Sequence, residues 1–418
     1  MRAWRPALAA GVLVIGPAGC AESGGGAPVT LSVLAADYGE RTSVSSEEFW
    51  TDLAERYAAG HPEVTVEVEL VPWEELDATL AERVREGSAP DIAQAGTFAD
   101  YAAGDELYRV RDILPLPVQS DFHTSLAHAG EYDYEQYGMP FISSTPRLFY
   151  NRELFASAGI DGPPESWAEL RGAAEALREA GVPTPYALQF GPDTADEEAH
   201  SWMLAAGGGY TGPAEGYTLD APENAGALEW LRDNLVAPGL AGADPAGLDR
   251  GGAYAGFLAG EVGMLLAHPA LLPAAEAAGL PYAHAGFPAR RGGAARPAGL
   301  SDWLLAFRDG GHGEQAGDFL AFLYDPAHMA EAMWRYGAVP STVSASEALA
   351  ANEEAEPLAA FVEQMPGAGL QPLSKDSWPA LRARLREELG EAVTGPDGDP
   401  AALLAALQAE AVSAAGED

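Results

Sequence analysis

The stretch Tyr137-Gly138-Met139-Pro140-Phe141 decides the fold, together with Leu148-Phe149-Tyr150-Asn151-Arg152-Glu153-Leu154-Phe155 and Pro163-Pro164-Glu165-Ser166-Trp167-Ala168-Glu169-Leu170 just after it. Pro140 biases Met139 towards the extended region, so the first segment reads as a strand that crosses the molecule. Asn151 is a good N-cap, which turns Tyr150-Asn151 into a helix. Ser166 and Glu169 make a capping box at the start of another helix, and Gly181 ends it. An extended crossover between two such units suits a hinge joining two lobes.

On the N-terminal side, Val29-Thr30-Leu31-Ser32-Val33-Leu34-Ala35 reads as a short strand. Phe49, Trp50, Leu53 and Tyr57 recur at helical spacing up to Gly60. Val64 to Leu70 alternates with period two, as a strand does. Trp73, Leu76, Leu80 and Val84 mark a second helix, and Pro90-Asp91-Ile92-Ala93 opens a third strand. A β-α-β-α-β order implies a parallel sheet covered by helices. Further on, Asp220-Ala221-Pro222-Glu223 starts a helix, Tyr254 to Gly260 forms another, and Val262 to Leu266 and Asp302 to Phe307 read as buried strands. Helices are expected over 318–324, 326–336, 377–393 and 400–412.

Length and charge bound the function. The 418 residues exceed one ordinary core and imply two domains. Lys+Arg number 23 against 63 Asp+Glu, a net charge of −40 that repels nucleic acid and anionic lipid. The single lysine, Lys375, follows no glycine-rich loop, which excludes a P-loop. The single cysteine, Cys20, excludes an internal disulfide, a cysteine-held zinc site and an iron–sulfur cluster.

The N-terminus reads as an address. Arg2 and Arg5 precede an apolar run from Ala7 to Ile15, too short to span a bilayer, and Ala18-Gly19 precede Cys20. A Gly/Ser-rich tether follows. Residues 1–19 resemble a lipoprotein signal peptide, with 20–28 a lipidated tether and Cys20 the acylated residue. Pro17 stands where such signals carry leucine. A plain secretory signal is the alternative.

Four ordered segments carry a wider resemblance: Gly87-Ser88-Ala89-Pro90-Asp91-Ile92, the stretch from Tyr137 to Leu170, Tyr254-Ala255-Gly256-Phe257-Leu258-Ala259-Gly260-Glu261-Val262-Gly263-Met264, and Ala316 to Pro326 with Tyr336-Gly337-Ala338-Val339-Pro340. With them the chain resembles family 1 of the extracellular solute-binding proteins of ABC importers, the maltose-binding-protein-like sugar receptors. The resemblance implies an α/β, two-lobed periplasmic-binding-protein-like fold (type II) with a ligand cleft between the lobes. The expected division is 29–140 plus 270–325 for lobe 1 and 141–269 plus 326–418 for lobe 2. It further implies a monomer without cofactor, metal or nucleic acid, anchored at the extracellular face of the cytoplasmic membrane. Such a receptor would pass a mono- or oligosaccharide to permease subunits.

Ligand candidates follow from sugar chemistry: aromatic rings stack on pyranose faces while polar side chains bond the hydroxyls. Tyr38 and Glu40 follow the first strand, and Gln94 and Thr97 the third, where parallel sheets bind ligands. Ser143 and Ser144 follow the crossover; a maltose receptor has an acidic contact at the place of Ser144, so this departure argues against maltose itself. His268 and Asp302 also stand at strand ends, with a structural role the alternative for His268. Trp202, Trp303 and Trp378 are candidate stacking residues, with core packing the alternative for each. Trp50, Trp73, Trp167, Trp230 and Trp334 read as core, and Asp193 with Asp196-Glu197-Glu198 as a solvated charge run.

No Gly-x-Ser-x-Gly elbow, His-Glu-x-x-His pair or Gly-x-Gly-x-x-Gly loop occurs, so an enzyme is not expected. The alternatives are a secreted carbohydrate-active enzyme or a sensor lipoprotein reusing the receptor fold.

Overall fold

A computed structural model describes residues 28–38, 46–212, 216–395 and 397–414. Cys20 and Glu40, with the signal and nearly all of the tether, lie outside the described residues.

The first strand, Val29–Asp37, alternates Leu31, Val33 and Ala35 into one hydrophobic cluster with Leu34 and Ala36 into another. A strand buried on both faces belongs inside a helix-covered sheet. It pairs in parallel with Val64–Pro72 and with Ile92–Ala95. Val64–Pro72 takes the edge, and its period-two polar positions face solvent. Leu300–Ala306 joins antiparallel beside Ile92–Ala95, and Met139–Ser144 closes the five-stranded sheet.

A second, four-stranded sheet holds Tyr282–Ala285, Arg147–Asn151, Val262–Ala267 and Thr184–Ala187 in that order. Only Thr145 and Pro146 separate the last strand of one sheet from the start of the other. Asn151 caps the next helix by accepting from Glu153 N and Leu154 N at 3.0 and 3.1 Å. In the capping box Ser166 accepts from Glu169 N at 3.2 Å, and Glu169 accepts from Glu165 N, one residue before the cap.

All three of the sequence-based lobe boundaries move. Met139–Ser144 lies in the first sheet, so residues 141–144 belong with lobe 1 and not with lobe 2. Tyr282–Ala285 lies in the second sheet, so of residues 270–325 the span before Leu300 does not belong with the first. Helix Pro326–Tyr336 packs on lobe 1, through Arg56 to Glu331 at 3.3 Å and Tyr336 against Phe49 at 5.1 Å. The chain therefore crosses between lobes at 145–146, over 286–299, and between that helix and Trp378–Thr394.

The start of the strand that leads into the first crossover is packed without slack. The Trp303 ring lies against Gly138 and Gly130, and a Cβ on Gly130 would stand 2.3 Å from the Gly138 carbonyl oxygen. Gly130→Ala is expected to cost about 1–3 kcal/mol in urea denaturation, because backbone rather than a flexible side chain must yield. An unchanged midpoint would show that this contact is not tight.

Candidate functional site

The site is built from strand ends of the first sheet and helix ends of the second lobe. On the first-lobe wall Tyr38, Gln94 and Asp302 meet because their three strands are neighbours. Gln94 accepts from Ala36 N at 3.0 Å and donates to the Tyr38 hydroxyl at 2.6 Å and to Asp302 at 3.0 Å. Tyr38 donates to the same Asp302 oxygen. Tyr38 also stacks on Trp73 at 5.8 Å. Asp77, on the Trp73 helix, accepts from Gly96 N at 2.8 Å beside half-buried Thr97.

On the second-lobe wall, helix Ala195–Ala206 presents Asp196 and Glu197. Arg382 donates to both at 2.8 and 3.4 Å, and Arg386 reaches Asp196 at 2.6 Å. Arg250 pairs with Glu197, and Gln371 donates to Asp196 at 2.9 Å. His268 Nδ1 meets the Ser144 hydroxyl at 2.7 Å, while its backbone N–H donates to the Tyr254 hydroxyl at 2.8 Å.

The two walls feel each other. Burial pushes the Asp302 carboxyl up to about 7; Tyr38 and Gln94 oppose this by hydrogen bonding, while Asp77 and Glu197 of the opposite lobe add to it. Burial also raises Asp77, opposed by the Gly96 N–H and by Arg382 across the cleft. Burial, with Arg250 beside it, holds His268 well below its ordinary value, so its imidazole is neutral. The three arginines of the second-lobe wall pair with two carboxylates, Asp196 and Glu197, and face two more, Asp77 and Asp302, so the two walls together carry no net positive charge. Tyr132 donates to Asp376 across the lobes at 3.2 Å. A cavity of about 20 Å³ touching Gln189, Glu197, Arg250, His268 and Leu300 holds little more than a water. That volume has no room for a pyranose ring.

Asp302 gives a pH test. Its raised folded pKa penalises the ionised form, so the wild type loses stability as pH climbs from about 4 to 7. Asp302→Asn is expected to show a melting-temperature advantage that grows from pH 4 to pH 7 and is flat above. A constant difference across that range would remove the assignment.

Of the sequence candidates, Tyr38, Gln94 and Asp302 come together, as do Ser144 and His268. Ser143 instead points inward to Ser301 at 3.0 Å. The three tryptophans are fully buried. Trp202 sits among Trp167, Trp230, Tyr186 and Phe287 and donates to Glu198 at 3.0 Å. Trp303 lies under Phe98, and Trp378 lies on Tyr210 at 4.9 Å. The supposed solvated run is corrected: Asp196 and Glu198 are buried because arginines, a tyrosine and a tryptophan satisfy them. The sequence reading missed Asp77, Arg250, Arg382 and Arg386, and it assigned Trp73 to the core. The i, i+4 spacing of Arg382 and Arg386 was the available signal. Among the described residues no His/Cys/Asp/Glu cluster could hold a metal, and no helix is long and apolar enough to cross a membrane.

Comparison with known proteins agrees with this architecture. A Brucella abortus (strain 2308) protein, named no further than as a binding protein, is 25% identical over 421 residues, covering 99% of each chain. The sn-glycerol-3-phosphate-binding periplasmic protein of Pectobacterium atrosepticum is 26% identical, covering 85% of this chain and 86% of its own. The cyclic alpha-maltosyl-1,6-maltose binding protein of Arthrobacter globiformis superimposes with a TM-score of 0.76 at 21% identity, over 93% of this chain and 98% of its own. Residues 43–330 match the family described as bacterial extracellular solute-binding protein, and the chain belongs to that family.

Proposed function

We propose that the chain is the substrate receptor of an ABC importer, lipid-anchored through Cys20 outside the cytoplasmic membrane. It binds an uncharged mono- or oligosaccharide between its lobes and delivers it unaltered to the permease. The observation that carries this reading is the pairing of walls. Carboxylates, a phenol and an amide stand on one side, guanidiniums and a neutral imidazole on the other. A sugar hydroxyl both donates and accepts, so it can bridge the two. A phosphate ester would bring two negative charges into a cleft whose three guanidiniums already face four carboxylates, Asp77, Asp302, Asp196 and Glu197. Ligand contacts from both lobes favour the closed arrangement, which is how binding drives hinge closure.

Fractionation of the native organism tests anchoring and delivery together. The wild-type chain is expected in the detergent-soluble membrane fraction, Cys20→Ser in the medium, and deletion of the gene is expected to abolish uptake of one neutral saccharide. A wild-type chain free in the medium would remove the anchor. Unchanged uptake across a saccharide panel would remove the transport role.

A further inference from the structure

Behind the cleft lies a second cavity of about 270 Å³. Its walls come from all three crossings: Pro146 from the first, Phe287 and Pro297 from the second, and Gln364 from the third. It shares Pro146, Ser201, Leu266 and Ala298 with the small cleft cavity, so only one layer of side chains separates the two. The lining is mostly apolar, and its charged members are Arg296 and Glu363, both exposed. Arg296 is steadied by the carbonyls of Gly367 and Ala368 at 3.3 and 3.4 Å. Glu363 lies close enough to Arg147 to act on its charge, but the Arg147 donors are taken by His284, Ala360 O and Gln364.

We infer that this hinge cavity is an effector site for a small apolar zwitterion, of the size and chemistry of a free aromatic or branched amino acid. The carboxylate faces Arg296, the ammonium faces Glu363, and the side chain fills the apolar wall. A zwitterion carries no net charge, so the −40 of the chain does not oppose it as it would an anion. Lobe rotation moves the three crossings against one another and changes the shape of the cavity, so occupancy biases the hinge. The inference does not depend on which ligand enters the cleft.

The test uses the full mature chain with L-phenylalanine and L-leucine as probes, read by thermal unfolding and small-angle X-ray scattering. At least one amino acid is expected to raise the melting temperature saturably by about 1–3 °C and to shift the radius of gyration. N-acetyl-L-phenylalanine amide, which lacks both charges, is expected to do neither. Arg296→Gln and Glu363→Gln alter exposed groups and should fold normally but lose the response; Ala295→Phe, which fills the cavity, should lose it too. No saturable shift with either amino acid would overturn the site, as would a response retained in all three variants or reproduced by the amide. Binding with an unchanged radius of gyration would overturn the effector role.

Discussion

Asp196→Ala is expected to destabilise the protein by about 3–5 kcal/mol, because it strands charges inside the fold. The Asp196 side chain is fully buried and accepts from Arg382, Arg386 and Gln371 at 2.8, 2.6 and 2.9 Å. The two arginines tie helix Ala195–Ala206 to helix Trp378–Thr394, and Gln371 ties it to the segment just before that helix. Without the carboxylate, two guanidiniums are left with Glu197 alone, at 3.4 and 3.6 Å. The loss measures unpaired charge, and a wholly apolar replacement of the cluster would cost less. Burial alone would raise the Asp196 pKa, but Arg382 and Arg386 override it and hold the carboxyl below its ordinary value. A depressed folded pKa stabilises above the unfolded value of about 4 and is lost as pH falls through the folded one. The gap between wild type and variant should therefore be full at pH 7 and narrow below pH 4. Urea denaturation at pH 7 and pH 3 reads both; a pH 7 difference within about 1 kcal/mol would show that the cluster is not a structural tie.

Trp378→Ala is the second large effect, at about 3–5 kcal/mol of stability. In the stacking role that the sequence offers Trp378 beside core packing, this variant would lose sugar affinity while keeping its fold. The structure buries Trp378 completely, on Tyr210 and in one cluster with Leu381 and Leu385, so the fold itself depends on it. Trp378→Phe keeps an aromatic volume there and should recover much of the loss. A Trp378→Ala chain as stable as wild type, with weakened saccharide binding, would return the residue to the ligand site.

The sequence showed most where the determinants are local. The Asn151 cap and the Ser166–Glu169 pair fix their turns within a few residues, and Pro140 keeps its own segment extended, as the sequence implies; the crossing itself falls at 145–146, after that strand, because Met139–Ser144 pairs inside the first sheet. The parallel start of the first sheet was legible because its strands and helices alternate. The division of the C-terminal half was not, because the four-residue strand Tyr282–Ala285 gains its identity from Arg147–Asn151, far away in sequence. The site divides in the same way. Tyr38, Gln94 and Asp302 could be placed because neighbouring strand ends bring polar residues together. Arg250, Arg382 and Arg386 could not, because they come from two helices and meet an acidic pair on a third; Asp196 and Arg386 stand 190 residues apart. The tryptophans show a further limit: the local sequence around Trp202 in its helix, Trp303 in its strand or Trp378 at its helix start is the same whether the indole faces a ligand or the core, and only packing separates the two.

Calorimetric titration of the full mature chain, comparing neutral oligosaccharides with sn-glycerol 3-phosphate, tests the central claim most directly. The account predicts saturable binding of at least one neutral saccharide and none of the phosphate ester. Tight binding of the phosphate ester, with every neutral saccharide silent, would contradict it.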